Sequence, residues 1–273
     1  MNQARHLMTE DSRRGAGVRA EAVHKRFPNG TIAIDRLDLD VEAGQFVALV
    51  GPSGCGKSTF LRLVAGLSEV SSGMLTVDGL PPPEARAKHR RLAFVPQDPT
   101  LLRWRRVRDN VALPLELRHV PQADVRKRVD EALELVGLLD VGQMYPHQLS
   151  GGMRMRVSIA RAMATDPTLL LMDEPFGALD EITRQRLEDE LLALWQECHF
   201  TCLFVTHSVQ EAAYLSQRLL VMGPRPARIA AVHEIRFSGP RLPTLRTETT
   251  FVSLVASVST DLSDAIETGR ASS

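Results

Sequence analysis

The 273-residue chain has few cysteines, few aromatic residues (5%) and no net charge, and each shortage excludes something. Its three cysteines are an odd number: Cys55 lies in a glycine-rich loop, and Cys198 and Cys202 have no second pair to complete a zinc site. A reducing cytoplasm fits that usage. Lys plus Arg and Asp plus Glu both number 33, so a formal net charge of +0 gives no global reason to expect nucleic acid or anionic lipid as a partner. No run approaches the roughly 18 apolar residues that cross a bilayer, and "MNQARHLMTEDSRRGAG" lacks the apolar core of a signal peptide. Work at a membrane would therefore go through a partner. What is present is ordinary for a globular protein with a sizeable core, 44% hydrophobic and 24% charged.

Residues 1 to about 17 read as a polar, mobile tail. "GPRPARI" near 223 to 229 marks a second change of composition, with two prolines closing what precedes it. Four short apolar runs stand out between them: "FVALV" (46 to 50), "LAFV" (92 to 95), "TLLLM" (168 to 172) and "CLFVT" (202 to 206). They are continuous rather than alternating, as expected of strands buried on both faces of a mostly parallel sheet. Each ends in polar or glycine-rich residues, and open α/β sheets place ligands at the carboxyl ends of their strands. From about 107 to 147 the pattern changes. Val125, Val129, Ala132, Leu133 and Val136 follow helical spacing with Gly137 at the C-terminus, which predicts an amphipathic helix in an all-helical insertion. The Ser/Thr-containing C-terminal stretch is undecided between ordered and loose.

"GPSGCGKST", Gly51, Pro52, Ser53, Gly54, Cys55, Gly56, Lys57, Ser58 and Thr59, follows a predicted strand and precedes "FLRLVAGL". In that context it is a phosphate-binding P-loop. Glycines let the backbone wrap phosphates and aim N–H groups inward, Lys57 adds a point charge, and Ser58 is placed to ligate Mg²⁺. In "TLLLMDEP" a buried strand ends in adjacent carboxylates, and Pro175 stops it. Neighbouring side chains diverge, so Asp173 can join a metal shell while Glu174 faces the attacking water. Gln97 and His207 are uninformative alone, and become candidates for metal, water or phosphate contact because they end strands beside these.

"QLSGGMRMRVSIARA" (148 to 162) begins like a second anion site, with Ser150 capping a helix whose first residues are Gly151 and Gly152. One P-loop and one acidic pair bind one nucleotide, so this helix start has no phosphate of its own. Either it is structural or it meets the triphosphate of another copy.

"GPSGCGKST", Gln97, "LSGGM", "LLLMDEP", "GALD" and His207, in this order, resemble the ATP-binding subunit of an ABC transporter over about residues 18 to 224. The resemblance implies a P-loop NTPase fold with a mostly parallel sheet core, an N-terminal antiparallel β subdomain and an inserted α-helical subdomain at about 98–150. Residues 225–273 are left as a C-terminal extension. It implies a head-to-tail dimer in which Ser150, Gly151 and Gly152 contact the γ-phosphate of the partner's ATP, while Ala178, Leu179 and Asp180 bridge the two sites. Catalysis would fall to Glu174, His207 and Lys57, Mg²⁺ to Ser58, Gln97 and Asp173, and adenine stacking to Phe27, where the family commonly has tyrosine. "LLRWRRVRDNV", "YPHQLSGGM", "MDEPFGALDEITR" and "VTHSVQEAAYLSQRLLVM" are similar to the nitrate, sulfonate and taurine branch of importers. Met153 replaces a frequent glutamine but also occurs in this branch. Met155, where "RQR" is frequent, has no interpretation from the motif.

The expected partners are a second copy, transmembrane permease subunits and, indirectly, a solute-binding protein, at the cytoplasmic face of the inner membrane. "LLRWRRVR" clusters Arg103, Arg105, Arg106 and Arg108 around Trp104, a composition suited to the permease contact, unless Trp104 is tucked into the core. The competing class is a soluble ABC-type ATPase that remodels a complex. A single motif set argues against the translation type, and the spacing leaves no room for the coiled coils of the repair type. Iron–sulfur assembly stays open. A P-loop kinase or GTPase would leave "LSGGM" unexplained.

Overall fold

The chain's elements, in a computed structural model that describes residues 15–89 and 91–271, begin with β1 (Val18–Arg26), β2 (Ile32–Val41), β3 (Phe46–Val50) and α1 (Lys57–Val64). Next come β4 (Ser72–Val77), α2 (Pro82–His89), β5 (Leu92–Val95), α3 (Val107–Glu116) and α4 (Gln122–Leu135). The remainder is α5 (Gly151–Met163), β6 (Leu169–Asp173), α6 (Glu181–Cys198), β7 (Thr201–Thr206), α7 (Val209–Leu215), β8 (Arg218–Met222), β9 (Ile229–Glu234) and α8 (Thr249–Ala271).

The four apolar runs are strands of one six-stranded sheet, ordered β5-β6-β7-β3-β8-β9, in which every pair but the last is parallel. Their continuity has a direct cause. Phe46, Ala48 and Val50 of β3 face a core built with the helices α3 to α7, whereas Val47 and Leu49 face a second core shared with α1 and the antiparallel sheet β2-β1-β4. With both faces covered, neither set can be polar. The antiparallel β subdomain and the helical insertion implied by the resemblance are thus both present.

Inside the insertion, Val125, Val129, Ala132 and Leu133 form the buried stripe of α4, and Gly137 takes the left-handed φ of 65° just beyond it. Met155 is buried in the core against the sheet, so its place in the signature helix is a packing position.

Two expected boundaries move. Residues 1–14 of the expected tail lie outside the described residues, but 15–17 belong to the domain: Ala16 is buried and donates to the Thr168 carbonyl (3.2 Å), and the Gly17 N–H donates to Asp78 (2.8 Å). The break expected at 224 is a hairpin turn instead. β9 pairs antiparallel with β8, Arg218 opposite Glu234 and Val221 opposite Ala231, so part of the C-terminal extension completes the sheet. The stretch left undecided forms α8, which packs against α7, β8 and β9. Cys55, Cys198 and Cys202 are buried and not joined in disulfides, and burial pushes the Cys202 thiol well above its ordinary value.

Candidate functional site

The P-loop connects β3 to α1 and is glycine-rich for a steric reason. Gly56 has φ +128°, and a Cβ there would lie 2.7 Å from the Ala33 carbonyl oxygen. Lys57, 3% exposed, folds back so that Nζ donates to the carbonyls of Gly51 (2.8 Å) and Pro52 (2.9 Å). Cys55, 1% exposed, packs beneath the loop, its N–H donating to the Pro52 carbonyl (3.3 Å) and its thiol 3.8 Å from Lys57 Nζ. A cleft of about 280 Å³ opens over Gly54, Gly56, Lys57, Ser58 and Thr59 and is walled by Phe27, Asn29, Thr31, Glu174 and Arg225. Phe27, 37% exposed, therefore stands in the cleft and not in a core, with Lys25 Nζ 5.4 Å from its ring centroid.

Parallel register brings the strand ends together. Val50 pairs with Thr206, Asp173 with Val205, and Val95 with Met172, so the residues that follow them share one edge. Ser58 Oγ donates to Asp173 Oδ1 at 2.8 Å. Glu174 adopts φ 50°, a costly conformation for a residue with a side chain. Its N–H donates to the Val205 carbonyl (2.8 Å). Both of its carboxylate oxygens are held: Oε1 lies 2.6 Å from His207 Nε2, and Oε2 accepts from Gln97 Nε2 at 3.0 Å. Gln97 thus meets Glu174, while Ser58 and Asp173 form the other polar pair.

The oxygens of Ser58 and Asp173 are hard donors of the kind Mg²⁺ takes, and two protein ligands suit an ion whose remaining shell is phosphate and water. The chemistry of this pair fits that ion.

Ser150, Gly151 and Gly152 are not among the residues lining the cleft. Ser150 is exposed and caps α5, accepting from the Met153 N–H (3.2 Å). A Cβ on Gly152 would come 3.0 Å from Leu179 Cδ2, which places the signature beside the "GALD" turn. Asp180 caps α6, and the Thr183 N–H donated to it (3.0 Å) holds its carboxyl below the ordinary range. Arg161 of α5 donates to the carbonyls of Pro99 (2.8 Å) and Thr100 (3.2 Å), tying the signature helix to the segment after Gln97. Burial lowers the pKa of this guanidinium.

Trp104 is 74% exposed, so it is not tucked into the core. Buried Asn110 fixes the loop that carries it. Its Oδ1 accepts from the Leu102 N–H (2.7 Å), and its amide donates to the carbonyls of Leu102, Arg105 and Arg106. Beside the loop lies a groove of about 600 Å³ lined by Leu101, Arg103, Pro146, His147 and Arg154 among others.

Two features escaped the sequence. Arg225 lines the cleft and donates to the Gly54 carbonyl through Nη2 (2.9 Å) and Nε (3.1 Å). Behind His207, buried Glu188 and Glu211 are faced by Arg184 and by Arg246 from the C-terminal extension. Proximity created by the fold carries both, and no local pattern announces it.

A P-loop whose serine meets one strand-end carboxylate, beside a second carboxylate clasped by glutamine and histidine, defines a nucleoside triphosphatase of the P-loop class. Residues 34–177 match the family model described as ABC transporter. The chain is 44% identical over 227 residues to the nitrate import ATP-binding protein NrtD of Synechococcus elongatus, covering 81% of this chain and 82% of that protein. It is 43% identical over 212 residues to the taurine import ATP-binding protein TauB of Rhizobium johnstonii, covering 78% and 80%. A dimeric ATP-binding cassette in a post-hydrolysis state, bound to ADP and Pi, superposes with a TM-score of 0.74 at 30% identity over 81% of this chain and 99% of that one. The chain belongs to the ABC transporter family, as one of its ATP-binding subunits.

Proposed function

We propose that the chain is the ATPase that powers import of a small solute of the nitrate, sulfonate or taurine kind. The clasp of Gln97 and His207 on Glu174, at the edge that carries the P-loop, is the observation that supports it most directly. Relatives named for nitrate and taurine import support the direction of transport and the solute class, and favour importer over iron–sulfur remodelling.

In this reading Glu174 orients or deprotonates the attacking water, its carboxylate aimed by donors on both oxygens. Lys57 and His207 stabilise charge on the transferred phosphoryl group, and Phe27 stacks on adenine. Mg²⁺, held by Ser58 and Asp173, would supply neutralisation of phosphate charge. Gln97 aims Glu174 through its amide N–H, and its amide oxygen is the third ligand expected for that ion.

Ser150, Gly151 and Gly152 close on the ATP of a second copy arranged head to tail, and Asp180 lies where the copies meet. Closure can move a partner only if ATP binds the closed state better than the open one, which contacts from both subunits provide. Trp104 and its groove receive a transmembrane permease subunit, itself served by a solute-binding protein. Among the described residues no helix is long and apolar enough to cross a membrane, which suits a peripheral subunit at the cytoplasmic face.

Isolating the protein from native membranes tests this. It should bring an integral permease with it, and ATP hydrolysis should rise when a solute-loaded binding protein is added. Co-isolation with cytoplasmic iron–sulfur proteins and no permease would reject the importer.

A further inference from the structure

We infer that Arg225 is a nucleotide-binding residue, contributing a cationic contact to the phosphate chain from the turn between β8 and β9. This rests on the nucleotide cleft described above and extends it to a residue outside every motif that points to it.

The cleft has two cationic side chains in its lining, Lys57 and Arg225. Lys57 is almost wholly buried and committed to two carbonyls of its own loop. Arg225 is exposed, so it is the cation that an approaching polyanion meets at the mouth. Its placement is fixed without being used up. Nε and Nη2 converge on one acceptor, the Gly54 carbonyl, at the turn of the loop that wraps the phosphates. Five N–H groups belong to a guanidinium, so about three remain for a ligand. Planar, permanently charged forks of this kind suit phosphate oxygens.

The turn itself is held in register with the cleft. The Ala227 N–H donates to the Ala33 carbonyl (3.0 Å), the Asp35 N–H donates to the Ala227 carbonyl (3.1 Å), and Ala33 also lines the cleft. Arg228, the other arginine of the turn, is occupied by Asp35. Arg225 further borders a neighbouring groove of about 680 Å³ between this turn and α8, where Asp261 and Asp264 stand. Asp261 is engaged by His233 at 2.7 Å. The arginine therefore forms the wall between the nucleotide cleft and the C-terminal helix.

The test compares the full chain with Arg225→Met and Arg225→Lys, measuring binding of ATP and of adenosine together with melting temperature without nucleotide. Arg225→Met should weaken ATP about ten-fold, leave adenosine binding unchanged and melt with the parent. Arg225→Lys should lose less. Unchanged ATP affinity in Arg225→Met overturns the inference, as does equal weakening of ATP and adenosine. So does a loss of affinity matched by a lower nucleotide-free melting temperature, which would make Arg225 a brace for the P-loop. A second measurement needs no variant: modification of Arg225 by an arginine-selective dicarbonyl, mapped by mass spectrometry, should slow when ATP is added, and an unaltered rate overturns the contact. Failure of the unaltered chain to bind ATP at all would remove the nucleotide site itself, a result distinct from binding that ignores Arg225.

Discussion

His207 Nε2 lies 2.6 Å from Glu174 Oε1, and this contact joins the ends of β6 and β7 across the site. With Gln97 on the other oxygen, Glu174 is held as an acceptor whose direction is set before any substrate arrives. Glu174→Gln keeps the shape and removes the base. Hydrolysis should fall about 100-fold or more, while ATP binding persists and an ATP-bound dimer accumulates. Phosphate release assays with size-exclusion chromatography measure both. Full turnover in the variant would assign the water-activating role elsewhere.

Ser150 stands outside the cleft that holds Lys57, so the two should act on one nucleotide only from different chains. Mixing a Lys57→Ala chain with a Ser150→Arg chain should restore one intact composite site. Each variant alone should fail to trap nucleotide, and the mixture should recover part of it. No recovery, under conditions where mixed dimers are shown to form, excludes the head-to-tail arrangement.

What was legible in the sequence follows from how each signal is made. β3, β6 and β7 announce themselves because both faces are buried, β5 because one face is buried and the other half-buried, and their shared direction puts Gly51, Gln97, Glu174 and His207 at one edge. β9 gives no such signal: "IAAVHE" is an edge strand with every second residue exposed, so it reads as the alternation of any half-wet segment. "GPRPARI" misleads because proline and glycine mark a tight hairpin as readily as a domain boundary. The P-loop is local and self-contained. The Gln97–Glu174–His207 cluster is not, since its members are far apart in sequence and meet only through strand register, and Arg225 reaches the cleft by an edge hairpin that no motif foretells.

Trp104 projects from a loop fastened by Asn110, which separates its role from folding. Exposed side chains away from caps and cores change stability by about 0.5 kcal/mol or less. Trp104→Ala should therefore leave the melting temperature and the ATPase rate of the isolated subunit as they were. Transport in membranes carrying the permease should be lost, and hydrolysis should cease to respond to the loaded binding protein. Asn110→Ala should instead unfasten the loop and lower stability, because Leu102, Arg105 and Arg106 lose its bonds together. Retained transport in Trp104→Ala would move the permease contact elsewhere.

Glu211 is buried in the first turn of α7, just after His207: its carboxylate accepts from Thr206 Oγ1 (2.5 Å), its N–H donates to Ser208 Oγ (3.2 Å), and Arg184 Nε stands 3.7 Å away. Burial outweighs these partners and pushes its pKa up to about 7 from an ordinary 4.5, with Glu188 and Glu174 adding to the rise. The sign follows from linkage. An acid with a raised folded-state pKa lends stability that is complete below its unfolded value and is lost as pH climbs through the folded value. The protein should thus lose up to about 3 kcal/mol from this group between pH 4.5 and pH 7 and above. Glu211→Gln keeps an acceptor for Thr206 without a charge to bury. It should match the parent near pH 5, melt above it at pH 8, and show a flatter profile between. A variant less stable than the parent at pH 8 would mean that the ionised carboxylate, paired with Arg184, is the form the fold prefers.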